Sequence, residues 1–176
     1  MAEKHGRSDS IAYVTAQQAG QADAWSLESQ GRGGQRLTEV AEVIPPQEVA
    51  AALGLTPGEQ AAVRKRIILL DDDVIELADS YYPLSIARGT ALSEARKIKG
   101  GAPTLLAELG YRARRVIEEP GVREADEAEC AALALPAGTN VLTLLRRTAA
   151  ADETPFEVQM MVMKAPRRLH YEIEVD

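Results

Sequence analysis

The 176-residue chain carries one cysteine, two histidines and one tryptophan. A single thiol excludes a disulfide framework, and so few thiols and imidazoles exclude zinc ribbons and multi-histidine metal centres. Aromatic residues make up only 4% of the chain, too few for the stacking platforms that hold single-stranded nucleic acid. Positive charge is also scarce: 20 Lys and Arg face 27 Asp and Glu, for a formal net charge of -7. A chain of that sign lacks the basic footprint of a stand-alone nucleic-acid binder. No apolar run approaches the ~18 to 20 residues needed to cross a bilayer. The first ten residues, MAEKHGRSDS, have no apolar signal core behind them. Together with the lone thiol, Cys130, this points to a cytoplasmic protein that does not touch the membrane.

What remains is ordinary globular composition, 45% apolar and 27% charged, in a length suited to one domain. Residues 1–34 stand apart. They are rich in Ala, Gln, Ser and Gly, and read as a tail or linker with a short strand around Ile11 to Val14. Trp25 and Leu27 are the residues able to anchor it. From 35 to 176 the pattern is that of a folded domain. Strands are expected from Leu37 to Ile44, Val63 to Leu70, Val74 to Tyr82, Tyr111 to Glu118, Val141 to Thr148 and Phe156 to Lys164. Leu169, Tyr171, Ile173 and Val175 alternate as a final strand. Helices are expected at Gln47 to Leu53, after Pro45-Pro46, at Pro103 to Leu109, before Gly110, and at Glu124 to Leu133.

An eighty-residue shift superposes parts of the chain: Leu53 on Leu133, Leu55 on Leu135, Gly58 on Gly138 and Arg66 on Arg146. Both stretches read as strand, helix, strand, strand. Two such units can pair into one largely antiparallel sheet with helices on one side, an α+β architecture.

Several constellations could carry chemistry. Arg64 and Arg66 share a strand face and can grip a phosphate or carboxylate, unless that face is simply solvated. Glu76, Ser80 and Tyr82 share a face of the return strand beside them, where cross-strand salt bridging is the plainer account. Gly100 and Gly101, after Lys97 and Lys99, precede a helix and expose backbone donors, without the order of a P-loop; an exposed basic loop is the plainer account. Asp71-Asp72-Asp73 suits a tight turn better than a metal. His170 alternates away from the apolar face and is expected at the surface. Cys130 reads as a small buried packing residue. No serine or cysteine nucleophile with a fitting His and acid is visible, and no cofactor motif is present.

The run AALALPAGTNVLTLLRRT followed by Pro155-Phe156-Glu157, and the earlier run VRKRIILLDDDVIELADSYYP, resemble the UTRA domain. This is the effector-binding domain of the HutC subfamily of GntR-type transcription regulators. The resemblance implies a chorismate-lyase-like fold, a homodimer and a pocket for a small anionic or polar metabolite. The family's two hairpin arginines would correspond to Arg66 and Ile68, with Arg64 as a substitute for the second. The family's glutamate corresponds to Glu157, and its later tyrosine to Met163. The candidate ligand-binding set is therefore Arg64, Arg66, Glu76, Ser80, Tyr82, Gly100, Gly101, Glu157, Gln159 and Met163, with no catalytic and no metal-binding residue. The winged helix-turn-helix of the family has no counterpart in residues 1–34, so the expectation is no direct DNA binding, with a heterodimer formed with a full-length regulator as the option beside the homodimer. A chorismate-lyase-like enzyme acting on a small carboxylate is the alternative that shares the fold.

Overall fold

The computed structural model describes residues 7–8, 10–17 and 24–171. In chain order the first elements are β1 (Arg7–Ser8), α1 (Ser10–Val14), α2 (Ala24–Glu28), β2 (Gly33–Val43) and α3 (Gln47–Leu53). There follow β3 (Ala61–Leu70), β4 (Asp73–Pro83), α4 (Leu84–Ala87), a 3-10 turn (Ala91–Ser93) and α5 (Gly101–Glu108). The chain continues through β5 (Arg115–Glu124), α6 (Glu127–Leu133), β6 (Asn140–Ala149), β7 (Pro155–Met163) and β8 (Arg168–Leu169).

Local chemistry sets these boundaries. Asp71 and Asp72 join β3 to β4 at φ 47° and 67°. A two-residue hairpin turn needs left-handed backbone at both positions, and Asp tolerates it better than most residues. α3 starts behind Pro46 and stops at Gly54, which takes φ 70° and returns its N–H to the Ala50 and Ala51 carbonyls. α6 begins with a capping box: Asp126 accepts from the Glu129 amide, and Glu129 accepts from the Asp126 amide.

Six strands form one antiparallel sheet in the order β2-β3-β4-β7-β6-β5. The two hairpins meet at its centre, where Glu76 faces Met163 and Tyr81 faces Val158. Because side chains alternate, each strand feeds both faces. On one face α3 and α6 pack against the sheet. Val49 and Leu53 meet Val63, Tyr81 and Val158, and Leu133 meets Val141 and Val162. Burying each such side chain stabilises the fold by about 1.5 to 3 kcal/mol. On the other face lie α4, α5 and the 3-10 turn, whose Ile86, Leu92 and Leu106 pack on Tyr82 and Phe156. Helices thus cover both faces, not one, and the second face keeps room for a cleft.

Several expectations need correction. Ile11 to Val14 is helical, within α1. The strand expected from Tyr111 begins at Arg115 and runs through Pro120 to Glu124; as an edge strand it can hold a proline. The helix expected from Glu124 begins at Glu127, and Glu124 ends this strand. The final strand is limited to Arg168 and Leu169, paired parallel with Arg7 and Ser8. Tyr171 is 52% exposed outside any strand, while Ile173 and Val175 lie beyond the described residues. Trp25 is buried, whereas Leu27 is exposed. His170 and Cys130 are both half-buried. Among the described residues no helix is long and apolar enough to cross a membrane.

Candidate functional site

β3, β4, β7 and β6 turn a row of polar side chains toward the α5 face. Arg66, Glu76, Tyr82, Glu157, Gln159 and Arg146 come together there around a cleft with two lobes. The inner lobe holds about 120 Å³ and the outer about 260 Å³. Arg66, Tyr82, Gln35, Gly100 and Gly101 wall both lobes, so they form the waist between them.

Arg66 is the central cation. Its Nη2 donates to Ser80 Oγ at 2.9 Å and its Nη1 to Gln35 Oε1 at 3.5 Å. Among the described residues no carboxylate forms an ion pair with it. The outer lobe adds Arg64 and Lys97 and, among the described residues, has no acid in its wall. Gly100 and Gly101 hold the turn into α5 at φ 77° and 82°, which favours glycine.

The inner lobe is of mixed sign. Glu157 is 2% exposed and accepts the Tyr82 hydroxyl at 2.7 Å. Burial raises its pKa above the ordinary carboxylate range, against the opposing pull of that hydrogen bond and of Arg66. Burial likewise raises Glu76, opposed by Arg167, Arg146 and Arg66. Burial and the Glu157 charge push the Tyr82 hydroxyl well above the ordinary phenol value. Gln159 Nε2 donates to Ser80 Oγ at 3.0 Å, and its Oε1 accepts from Arg146 Nη1 at 3.0 Å.

Three expected contacts are corrected. Arg64 is 5% exposed and spends its guanidinium on the carbonyls of Ala91, Leu92, Glu94 and Arg96. It stitches the loop before α5 to the sheet and offers little to an anion, although it borders the outer lobe. Ser80 lies under the wall and not in it; its hydroxyl reaches the cleft only through Arg66 and Gln159. Met163 is packed in the core with Trp25, Ile75 and Leu144. The remaining members of the set, Arg66, Glu76, Tyr82, Gly100, Gly101, Glu157 and Gln159, all line the inner lobe.

Sequence reasoning missed Arg146, Arg167, Tyr13 and Trp25 as wall residues. Arg146 had a signal, since the eighty-residue shift places it on Arg66. Its Nε pairs with Glu118 Oε1 at 2.6 Å, the two side chains being 3% and 9% exposed. Arg167 had none: its partners Glu28 and Glu76 come from distant parts of the chain. Asp71 and Asp72 belong to the hairpin turn, and no group of three His, Cys, Asp or Glu able to hold a metal occurs among the described residues.

Comparison with known proteins supplies the family. No curated protein matches the chain at a significant level. The ligand-binding domain of a GntR-family regulator from Bordetella bronchiseptica superposes with a TM-score of 0.68 at 22% identity, covering 83% of this chain and 92% of that one. The effector domain of PhnF from Mycobacterium smegmatis gives 0.72 at 16% identity, over 86% and 95%. The C-terminal domain of the histidine utilization repressor from Pseudomonas syringae gives 0.68 at 16% identity, over 82% and 100%. These likenesses establish the fold. The UTRA domain model matches residues 29–167, and by that match the chain belongs to the UTRA domain family.

Proposed function

We propose that the chain is the small-molecule-binding module of a GntR-type transcription regulator, and that the cleft takes a metabolite with an anionic end. The observation that carries this reading is Arg66: a guanidinium at the waist of a cleft, without a carboxylate partner among the described residues, facing an outer lobe whose described wall residues include Lys97 and no acid. A charge held in that state favours an anion, and a planar fork favours phosphate or carboxylate. The ligand's polar remainder would meet Glu76, Glu157 and Gln159 in the inner lobe.

The reading is of binding without catalysis. Neither lobe is lined by a His or Cys among the described residues, and Glu157 is engaged by Tyr82. The module would work as a homodimer whose geometry shifts with ligand occupancy. Exposed Ile44 and Val122, 68% and 70% accessible, flank the two open edges β2 and β5 and support that assembly.

The test is native mass spectrometry of small molecules carried through purification, followed by calorimetry with what is recovered. A recovered anion that binds wild type and is not turned over is the expected result. Its chemical conversion by the protein would favour the enzyme instead.

A further inference from the structure

The family match begins at residue 29, yet residues before it wall the cleft. Ala12, Tyr13, Thr15, Gln17, Ala24 and Trp25 all line the inner lobe. Trp25 is 5% exposed and sits with Ile68, Ile75, Ala78, Leu144 and Met161. Its Nε1 donates to the Leu69 carbonyl at 3.0 Å. Charge fastens this arm a second time. Glu28 accepts the Tyr13 hydroxyl at 2.5 Å and pairs with Arg167 Nη1.

Arg167 is the keystone of that contact. Its side chain is 5% exposed, and its guanidinium lies over the Trp25 ring, 4.8 Å from the centroid. Glu76 Oε2 stands 3.4 Å from its Nε, but that buried N–H makes no hydrogen bond. One guanidinium therefore stands between a carboxylate of the arm and a carboxylate of the sheet, at the wall of the inner lobe.

We propose that the arm, residues 10–17 and 24–28, completes the ligand site and is latched by Arg167, so that filling the inner lobe and docking the arm are one linked equilibrium. The proposal rests on the reading of the cleft as an anion-binding site. A ligand held between arm and sheet touches both. It binds the docked state more tightly than the undocked one, and by linkage it strengthens docking. Tyr13 and Trp25 then select the ligand by shape, and Arg167, held between Glu28 and Glu76, keeps that wall in place.

Trp25 is the only tryptophan, so its emission reports the arm alone. The experiment measures emission and acrylamide quenching of the whole chain in wild type, Glu28→Gln, Arg167→Ala and Arg66→Ala. Citrate serves as a probe large enough to reach both lobes, its binding is followed by calorimetry, and circular dichroism checks the sheet. Wild type is expected to be shielded, and the two latch variants to show a quenching constant raised at least twofold. Citrate should restore shielding in Glu28→Gln. Arg66→Ala should keep Trp25 shielded while losing the heat of citrate binding. Quenching in both latch variants equal to wild type, with an intact sheet, overturns the latch. Citrate bound by calorimetry that leaves Glu28→Gln unshielded overturns the linkage. Failure of the anion reading shows separately, as absent heat with wild type while the latch variants still expose Trp25, a result that upholds the latch.

Discussion

Tyr82 on β4 donates its phenolic hydrogen to Glu157 on β7 at 2.7 Å, across the seam where the two hairpins meet. Both side chains are at most 2% exposed. The bond satisfies the acceptor of a nearly buried carboxylate, whose other neighbour is Gln159 Nε2 at 3.4 Å. Tyr82→Phe keeps the ring and removes the donor, so it should destabilise the fold by about 1 to 3 kcal/mol. Urea unfolding measures this; an unchanged midpoint would show that another donor reaches Glu157.

The two arginines of β3 should respond oppositely to truncation. Arg66→Ala should weaken effector binding roughly ten- to a hundredfold, because a charge-assisted contact is worth about 1.5 to 3 kcal/mol. Arg66→Lys should restore only part of it. Arg64→Ala should instead lower stability by about 3 kcal/mol or more, since it strips the shared donor from four carbonyls. Calorimetry and urea melts on the same three variants separate the two roles.

Gly33 is required by a close approach. A Cβ built there would lie 2.2 Å from Trp25 Nε1 and 2.4 Å from Ser29 Oγ. Gly33→Ala should therefore push Trp25 from its seat, shift its emission to the red and cost about 1 to 3 kcal/mol. Gly121 offers the contrast. Its Cβ would meet only the Thr143 hydroxyl, at 2.9 Å, the end of a side chain that can rotate. Gly121→Ala should leave both emission and stability close to wild type.

Glu76 and Glu157 make stability depend on pH in a fixed direction. Burial raises both above the ordinary value of 4.5. The native state therefore holds protons that the unfolded chain has released. Their contribution is full below the unfolded pKa and is lost as pH rises through the raised folded values. The double variant Glu76→Gln, Glu157→Gln removes both titrations. Its urea midpoint should fall less than that of wild type between about pH 5 and about pH 8. Comparing the two proteins cancels carboxylates shifted the other way, such as Glu118. Equal slopes would mean that neither acid titrates in that window.

A homodimer should appear by light scattering at micromolar concentration, and Val122→Glu or Ile44→Glu should weaken it. Each places a charge on an exposed apolar residue at an edge of the sheet. A wild-type monomer at that concentration would remove dimer geometry from the proposed mechanism.

Much of this structure can be read from the chain alone, because period-two alternation in β3, β4, β6 and β7 is strong, and Pro46, Gly54 and Asp126 mark helix ends chemically. Ile11 to Val14 misleads because a four-residue apolar run fits either period; packing of Tyr13 against the sheet decides it. Pro120 misleads because proline breaks a strand everywhere but at an edge, and edge position is a property of the whole sheet. The buried cations misled most. Arg64 reads in sequence as an anion contact, and Arg146 and Arg167 carry no sign of burial. Their burial depends on loop carbonyls, on Glu118 and on Glu28, partners that only the fold brings near. The Arg64 and Arg66 pair stands out in sequence because the two lie one pleat apart on a strand, but only the fold shows that Arg64 turns to loop carbonyls while Arg66 borders both lobes.

The crossing of the two helices over the seam has a consequence for synthesis. α3, from the first half, rests on β7 of the second, and α6, from the second half, rests on β4 of the first. Val49 and Leu53 have no complete seat until Val158 exists, and Leu133 needs Val162. A nascent chain ending after β4 would expose the apolar face of its hairpin to the ribosome's surroundings for roughly 80 further residues, several seconds at ~5 to 20 residues per second. Each half therefore lacks part of its own core. Split within 109–114, the two pieces should fail to fold singly and recover the sheet only when mixed, like a clasp whose hooks each fasten on the other side.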